Sequence, residues 1–286
     1  MPTVNEIKDE FKFNEELTGL IGTMKDTAVF QFRHLQRETE SVGPWDRLLD
    51  GFFGLVDMND FDHPFLNPKT ERSAILIVTS DEGFMGGLNL KVIDAALSRK
   101  SSIEPALFIV GERGARYLDE KGLGFKLFTW SEFKDRQHLA LALQKEILKG
   151  ALESKFGAVE AVYPQCASFM VQRVATKNIL PLTKNREPGT EGVSQGTKDI
   201  IIETPLAGIV EFLAENAVFR TFSLVLEQSK LSEYAARAIH LEKSDNELVE
   251  KGKQLMARYF HAHREVIDQG TREVFSSRII RKAGSR

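Results

Sequence analysis

The chain has 286 residues, of which 42% are hydrophobic and 28% are charged, and its formal net charge is -3. This composition is typical of a globular protein of one to three domains, and the slight acidic excess argues against a nucleic-acid-binding protein. The longest apolar runs, such as Ala74 to Val78, are far too short for a membrane span. The single cysteine, Cys166, cannot form an internal disulfide and fits a reducing cytoplasm. The first residues resemble neither a secretory nor a transit signal, so we expect no export.

The first element in chain order is a predicted helix over residues 3 to 42, a stretch without proline. Apolar or small side chains recur in it at the spacing of one helix face: Leu17, Ile21, Met24, Ala28 and Leu35. Gly43 and Pro44 form a stop signal. A second helical pattern runs from Trp45 to Val56 and breaks at Asn59 and Asp60.

The middle of the chain alternates strand-like and helix-like patterns, which predicts an α/β domain with a largely parallel sheet covered on both faces. The predicted strands are Ala74–Thr79, Ala106–Val110, Phe125–Phe128, Ala158–Tyr163, Phe169–Val174 and Ile200–Ile202. The predicted helices are Leu88–Arg99, Glu112–Glu120 and Phe133–Leu148. Residues Thr183 to Asp199 contain few apolar side chains and predict a loop.

The last eighty or so residues contain no proline, and they predict one very long helix. A continuous helix from Ile209 to Ser276 would measure about 100 Å. Apolar or small residues recur every seventh position in two series separated by a slip of three, the pattern of a locally overwound coiled coil. The first series is Val210, Ala217, Leu224 and Leu231, and the second is Tyr234, Leu241, Leu248, Leu255 and Ala262. The alternative is a bundle of two or three shorter helices broken near Gly252.

A long helix needs a partner for its apolar face, and the other long helix lies at the N-terminus. We therefore predict an α/β fold class, with a long antiparallel coiled coil of the N- and C-terminal helices plus a central Rossmann-like α/β domain. The expected segments are residues 1–58 for the first coiled-coil helix, 70–204 for the α/β domain and 205–286 for the second helix. The basic residues at the C-terminal end are expected to form a frayed, solvated tail.

The segment Gly83-Phe84-Met85-Gly86-Gly87 follows a strand and precedes a helix, which is where phosphate-binding loops lie. Its glycine spacing fits neither the dinucleotide-binding nor the triphosphate-binding motif, and the preceding acids Asp81 and Glu82 would repel a phosphate. We interpret the glycines as residues of a tight turn with close helix-to-sheet packing.

Other candidate chemistry is weak. His261 and His263 are two residues apart on a predicted helix and so point to different sides, unlike a zinc-binding pair. Cys166 has no histidine near it in sequence and is expected to be a buried structural thiol. No serine lies in a G-x-S-x-G motif. The residues alone predict no metal site, no cofactor and no active site.

Several segments together resemble the gamma subunit of F-type ATP synthases. The segment Val78 to Asn89 is similar to the family motif T-S-D-R-G-L-C-G-G-L/F-N, and Ser232 to Ala238 is similar to S-E-x-A-A-R-M. Weaker likenesses are Glu6-Ile7-Lys8, Thr23-Met24-Lys25, His63-Pro64-Phe65-Leu66, Glu203-Thr204-Pro205, Asn246 and Tyr259-Phe260-His261-Ala262-His263. The resemblance covers nearly the full length in the right order.

The chain also departs from the family pattern. Glu82 stands where the family has arginine, Met85 where it has cysteine, and His263 where arginine is usual. The end of the chain, from Ile279, replaces a short apolar tail of small residues. These departures suggest a divergent branch, such as an alternative sodium- or proton-linked complex.

The resemblance implies a non-catalytic central rotor shaft that couples ion flow through a membrane ring to ATP synthesis or hydrolysis in a hexamer of alpha and beta subunits. The implied partners are these subunits, the epsilon subunit and the membrane c-ring, with no cofactor, and the implied place is the cytoplasmic face of the bacterial inner membrane. Met24, Arg237 and Gln269 are the matched residues expected to touch the beta subunits. The turn motif comprises Asp81, Gly83, Gly86, Gly87 and Asn89.

Two alternatives remain open from the sequence. A divergent coiled-coil scaffold without rotary function would explain the altered C-terminal end. A nucleotide-dependent enzyme would use the turn at Gly83.

Overall fold

The computed structural model describes residues 3–39, 63–99, 103–182 and 206–283. Its first element is helix α1, Val4–Thr39, and its last is helix α5, Leu206–Ala283, a single helix of 78 residues. The prediction of one continuous C-terminal helix is therefore confirmed, and Gly252 lies within it. Proline is absent from α5, so nothing in its sequence removes a backbone donor from the helical ladder.

Between these helices the described residues form five strands and three further helices. The strands are β1 Ser73–Val78, β2 Ala106–Val110, β3 Lys126–Phe128, β4 Ala158–Ser168 and β5 Val171–Leu180. The helices are α2 Leu88–Leu97, α3 Glu112–Glu120 and α4 Arg136–Leu152, with a 3-10 turn at Trp130–Glu132. The helical pattern at 45–56, the loop at 183–199 and the strand at 200–202 that the sequence predicts lie outside the described residues.

The five strands form one sheet in the order β3-β2-β1-β4-β5. The first four strands are parallel, in the 3-2-1-4 order of doubly wound α/β folds, and β5 pairs antiparallel with β4 at the edge. This arrangement confirms the predicted Rossmann-like α/β class with a largely parallel sheet.

An apolar layer covers each face of the sheet, as continuous apolar strands require. On one face the strands pack against α4 and the first part of α5, through Leu143 and Ile147 and through Val218 and Phe222. On the other face they pack against α2 and α3, through Val92, Ile93 and Leu118.

By compactness the chain divides into two units. One comprises Met1–Thr27 with Ala238–Arg286, and the other comprises Ala28–Arg237. The division falls within both long helices. The domain limits that the sequence predicts, 1–58, 70–204 and 205–286, stay predictions, and the limits at 58 and 204 lie outside the described residues.

In the unit made of the two chain ends, α1 and α5 run antiparallel. Glu10 lies 4.0 Å from Arg258, the Asn14 amide donates to the Leu248 carbonyl at 3.0 Å, and Lys25 lies 2.8 Å from Asp245. Later positions of α1 therefore contact earlier positions of α5. The apolar side chains buried in this unit include Ile7, Ile21, Leu241 and Leu255. The predicted antiparallel pairing of the terminal helices is confirmed by these contacts.

Each described helix is too short or too polar to span a lipid bilayer.

Candidate functional site: the turn after β1 and its contact with α5

The site lies in the unit Ala28–Arg237 and begins at the carboxyl end of β1, where the chain turns into α2. Phe84, Gly86 and Gly87 adopt positive φ angles of 63°, 56° and 83°. A left-handed backbone costs an ordinary residue about 1–2 kcal/mol but costs glycine little. Gly87 is the N-cap residue of α2, so the glycine pair allows the chain to reverse and enter the helix within two residues.

Polar side chains at both ends of this turn hold it to the sheet. The side chain of Asn89 accepts a hydrogen bond from the Ser80 backbone N–H at 3.3 Å and donates one to the Ser80 hydroxyl at 2.9 Å. Ser80 in turn donates to the Glu82 carbonyl at 2.7 Å. These bonds close the loop across nine residues, which explains why serine and asparagine stand at these positions.

Asp81 connects the turn to two neighbouring elements. Its carboxylate accepts one hydrogen bond from the backbone N–H of Glu112, at the start of α3, and one from that of Ser131 in the 3-10 turn, at 2.9 and 3.2 Å. A carboxylate at a helix N-terminus satisfies a free N–H group and is favoured by the helix dipole. The role of Asp81 is therefore structural. Its carboxylate occupies the position at the N-terminus of α3 where a phosphate would approach.

Gly83 is closely approached by Arg113 of α3. A Cβ at this position would lie 3.2 Å from the Arg113 guanidinium, so the neighbouring side chain would have to shift. The structure thus places Asp81, Gly83, Gly86, Gly87 and Asn89 in one compact turn.

The turn contacts α5 through Arg237. The guanidinium Nη2 of Arg237 lies 2.6 Å from Glu233 on the same helix and 2.9 Å from Glu82 of the turn, and its Nε donates to the Gly83 carbonyl at 3.4 Å. The Arg237 side chain is 7% exposed and that of Glu233 is 4% exposed. A contact of Arg237 with a beta subunit, as the resemblance implies, would require exchange of these intrachain bonds.

Glu233 extends the network to Thr79, the residue that follows β1. Its other carboxylate oxygen lies 2.9 Å from the ammonium of Lys230, which also lies 4.2 Å from the centroid of the Trp130 ring. The Trp130 indole N–H donates to the Thr79 carbonyl at 2.8 Å, immediately after β1. Contacts through Trp130, Lys230, Glu233 and Arg237 therefore connect Thr79 to Gly83 by way of α5.

Apolar contacts accompany this network. Met85, Leu88 and Ala236 form a small buried cluster between the turn and α5. Next to it, Phe32 and Leu35 of α1 pack against Leu231 and Ala235 of α5. Burial among these groups raises the pKa of the Tyr234 phenol, which keeps it neutral.

The other two predicted partner residues, Met24 and Gln269, lie in the unit formed by the chain ends. Met24 on α1 is half-buried. Gln269 on α5 is exposed, and its amide lies 3.4 Å from the Glu273 carboxylate. Of the three, the structure brings only Arg237 to the turn motif.

Four residues of the site were not predicted as site residues from the sequence: Glu82, Trp130, Lys230 and Glu233. The i, i+4 spacing of Glu233 and Arg237 on a predicted helix is a signal that could have identified that pair. No sequence pattern relates Glu82 or Trp130 to α5, because the sheet brings them there. Within the described ranges, His, Cys, Asp and Glu side chains form no group of three or more able to hold a metal ion.

Known proteins resemble this chain over nearly its whole length. The family model described as ATP synthase matches residues 3–277. The ATP synthase gamma chain of Trichormus variabilis is 24% identical, covering 96% of this chain and 98% of the relative. That of Staphylococcus haemolyticus is 22% identical, covering 96% and 97%.

Solved structures agree in fold. A chain of the Euglena gracilis mitochondrial ATP synthase, in a structure of its OSCP, F1 and c-ring, superposes with a TM-score of 0.77 at 14% identity, covering 99% of this chain and 96% of that chain. A chain of the Tetrahymena thermophila central stalk and c-ring gives a TM-score of 0.58 at 18% identity, covering 79% and 99%. Because the family model spans almost every residue, this chain belongs to the ATP synthase family, among its gamma chains.

Proposed function

We propose that this chain is the central rotor shaft of an F-type ATP synthase and couples ion flow through a membrane ring to ATP synthesis or hydrolysis in an alpha/beta hexamer. The observation that carries the proposal is the family match over residues 3–277, on a chain whose two terminal helices pair antiparallel. Two similar chains belong to structures that contain a c-ring together with F1 or a central stalk.

The physical basis is a difference in contact between one asymmetric element and several equivalent partners. A stiff helix pair that presents different side chains in each direction favours a different conformation in each partner that it faces. Rotation of such a shaft changes which partner is favoured, and this is a coupling free energy between distant sites. In this role the chain needs no active site of its own, because bond formation and cleavage take place in the partner subunits.

Exposed apolar side chains of α5 support a partner surface. Val249, Met256, Phe260, Ile267 and Val274 recur at spacings of seven, four, seven and seven residues, and each is exposed. Such spacing places them along one side of the helix, where an apolar surface of this length is a candidate for burial by another protein. We propose the alpha and beta subunits as the partners here, with Met24 and Gln269 among the contacts.

By the same reasoning, the chain associates with the membrane through the ring and not by spanning the bilayer. We place it at the cytoplasmic face of a bacterial inner membrane, with the epsilon subunit as a further partner. The comparisons do not favour a scaffold without rotary function, and nothing in the site favours an enzyme that binds nucleotide at Gly83.

Reconstitution tests the proposal. The chain would be added to its own alpha and beta subunits, and ATP hydrolysis and rotation would be followed with a bead attached to Met170→Cys in a Cys166→Ser background. Met170 is 70% exposed at the turn between β4 and β5, which makes it accessible for labelling. We expect sustained hydrolysis that depends on this chain, together with ATP-driven rotation of the bead. Hydrolysis without rotation would identify a scaffold, and hydrolysis that is independent of the chain would refute the proposed role.

A further inference from the structure

We propose that Glu82 and Arg237 form a latch that fixes the turn after β1 to α5, which makes Arg237 a positioning residue within the chain and not a contact for a partner carboxylate. In the rotor, an inference that rests on the proposed function, this latch transmits torque between the α/β sheet and the long helix. The family resemblance implied instead that Arg237 contacts a beta subunit.

Two of the three guanidinium nitrogens of Arg237 already have partners within the chain. Nη2 reaches two carboxylates, on Glu233 and Glu82, at 2.6 and 2.9 Å, while Nε reaches the Gly83 carbonyl at 3.4 Å. Charge-assisted hydrogen bonds are the strong ones, and a guanidinium holds several acceptors in a fixed fork. Because only 7% of the side chain is exposed, little of Arg237 remains accessible to a partner carboxylate.

The network fixes the turn at two points. Arg237 holds Glu82 and Gly83, while Lys230 contacts Trp130, whose indole donates to the Thr79 carbonyl. Glu233 joins the two cations between these points. Two attachments four residues apart resist both translation and rotation of the turn against the helix, which a single contact would not.

Glu82 can be replaced with little effect beyond the latch. Its side chain is 73% exposed, so replacement removes little packing, whereas it supplies the one carboxylate that reaches Arg237 from the turn among the described contacts. Glu82 also stands at the position where the resembled family motif has arginine. An arginine there would face Arg237 with like charge, and so this latch depends on the substitution that this chain carries.

The test uses Glu82→Gln, Arg237→Gln and the double variant, with Glu104→Gln as the matched control because Glu104 is an exposed glutamate in the segment before β2. Hydrogen exchange of the amides of Gly83 to Gly87 in the full chain is the first measurement. We expect exchange to become about tenfold faster in each single variant, with the double variant no faster than Arg237→Gln alone, since residues of one network are not additive. The control should remain within about twofold of the parent, as surface substitutions usually do.

The second measurement separates positioning from mere stability. In complete ATP synthase complexes reconstituted into vesicles, the ratio of ion pumping to ATP hydrolysis would be compared among the same variants. We expect both single variants to lower the ratio in the same direction. If Glu82→Gln leaves both the ratio and the exchange unchanged, or raises the ratio while Arg237→Gln lowers it, then Arg237 serves a partner and the latch is refuted.

The two proposals fail in distinguishable ways. If the parent chain supports neither hydrolysis nor pumping, the rotor function is refuted, and the exchange measurement still decides whether Glu82 and Arg237 fix the turn. If the parent pumps but the exchange of the turn does not respond to Glu82→Gln, the latch is refuted and the rotor function stands.

Discussion

Gly114 on α3 is a residue at which helix and sheet pack very closely. A Cβ at this position would lie 2.5 Å from the Thr79 hydroxyl and 2.7 Å from the Cδ1 atom of Ile109, distances that no real Cβ tolerates. Thr79 is held in place, because its hydroxyl donates to the Val110 carbonyl at 2.7 Å. Moving Thr79 would break this hydrogen bond, so glycine is favoured here because it needs the least space.

We therefore expect Gly114→Ala to lower the free energy of unfolding by about 1–3 kcal/mol, the usual cost of overpacking a core. Urea denaturation followed by circular dichroism would measure this change. Gly124→Ala is the matched control, because nothing lies within 4 Å of its Cβ position. For Gly124→Ala we expect the free energy of unfolding to rise by about 0.4–1 kcal/mol, because alanine reduces the conformational freedom of the unfolded chain. Equal effects of the two substitutions would contradict the packing argument.

Lys25 on α1 is held by two carboxylates of α5, with Asp245 at 2.8 Å and Glu242 at 3.0 Å. The hydrogen bonds with Asp245 and Glu242 raise the pKa of Lys25 above its ordinary value of about 10.4. A group whose pKa is raised by folding stabilises the fold fully below the unfolded-state value. That contribution is lost as the pH rises from there towards the folded-state pKa.

The difference in Tm between the parent and Lys25→Met should therefore stay constant from neutral pH to about pH 10 and shrink above it. Thermal denaturation over a series of pH values measures it. Lys243→Met serves as the control, because Lys243 is 76% exposed and lies 3.8 Å from its partner Glu247. A difference that grew with alkaline pH would mean that the ion pairs of Lys25 are not the source of the stabilisation.

At the scale of whole elements, the pairing of α1 with α5 contains a buried polar residue. Asn14 is 5% exposed, and its amide N–H donates to the Leu248 carbonyl, while its Oδ1 has no hydrogen-bond partner among the described residues. Gly252 lies opposite, where a Cβ would come 3.2 Å from the Asn14 amide nitrogen. A single buried asparagine in a coiled-coil seam fixes the register of the helices at a cost in stability.

We expect Asn14→Leu to raise the free energy of unfolding by about 1 kcal/mol, because it removes a buried acceptor without a partner. The register should become less well defined at the same time. Spin labels at Leu20→Cys and Val249→Cys, both exposed positions, would report a broader distance distribution in a Cys166→Ser background. Asn216→Leu is the control, since Asn216 is an exposed residue of α5. A destabilised protein with an unchanged distribution would show that Asn14 acts by its fit alone.

The elements were predicted where local chemistry determines them. The two long helices and strands β1 and β2 follow from periodicity and apolar runs, and they lie within a few residues of the predicted limits. Helix α4 begins at Arg136 and not at Phe133, because Asp135 caps it by accepting from the His138 backbone N–H at 2.9 Å. An N-cap aspartate is a readable signal that the apolar pattern obscured.

Other features depend on pairing between distant segments. The predicted strand at Phe169–Val174 was wrong at its start, since Phe169 and Met170 lie in the turn between β4 and β5 and the strand runs to Leu180. The polar part of β5 adopts a strand conformation because it pairs with β4 in an antiparallel register. Glu82 and Arg237 are 155 positions apart, and their contact likewise forms only when the sheet folds. Neither this contact nor the pairing of β5 with β4 could therefore be predicted from local sequence patterns.

At the scale of the molecule, side-chain burial is distributed unequally along α5. Between Ala214 and Ala236 the helix contributes fully buried side chains to the sheet core, such as Val218 and Phe222. Among the side chains described from Ala238 to Ser276, those that are apolar and buried are Ala238, Leu241 and Leu255, and residues 263 to 276 are exposed throughout. The side chains of this one helix are thus buried in the sheet core over its first part, partly buried over its middle part and exposed at its end.

Local stability follows burial and not helical periodicity, since isolated helices are marginal in water. In the isolated chain we therefore expect amide hydrogen exchange to quicken in three steps along α5: slowest at residues 214–236, intermediate at 241–255 and fastest at 263–276. Mass spectrometry of peptic fragments measures this, and α4, which is packed on the sheet, supplies the slow internal reference. Uniform protection along all of α5 would mean that the last turns are stabilised by something other than burial within this chain. If the alpha and beta subunits cover the exposed apolar side, as the rotor function requires, their addition should slow exchange most at residues 263–276, and it should leave 214–236 unchanged because those amides are already protected by the core.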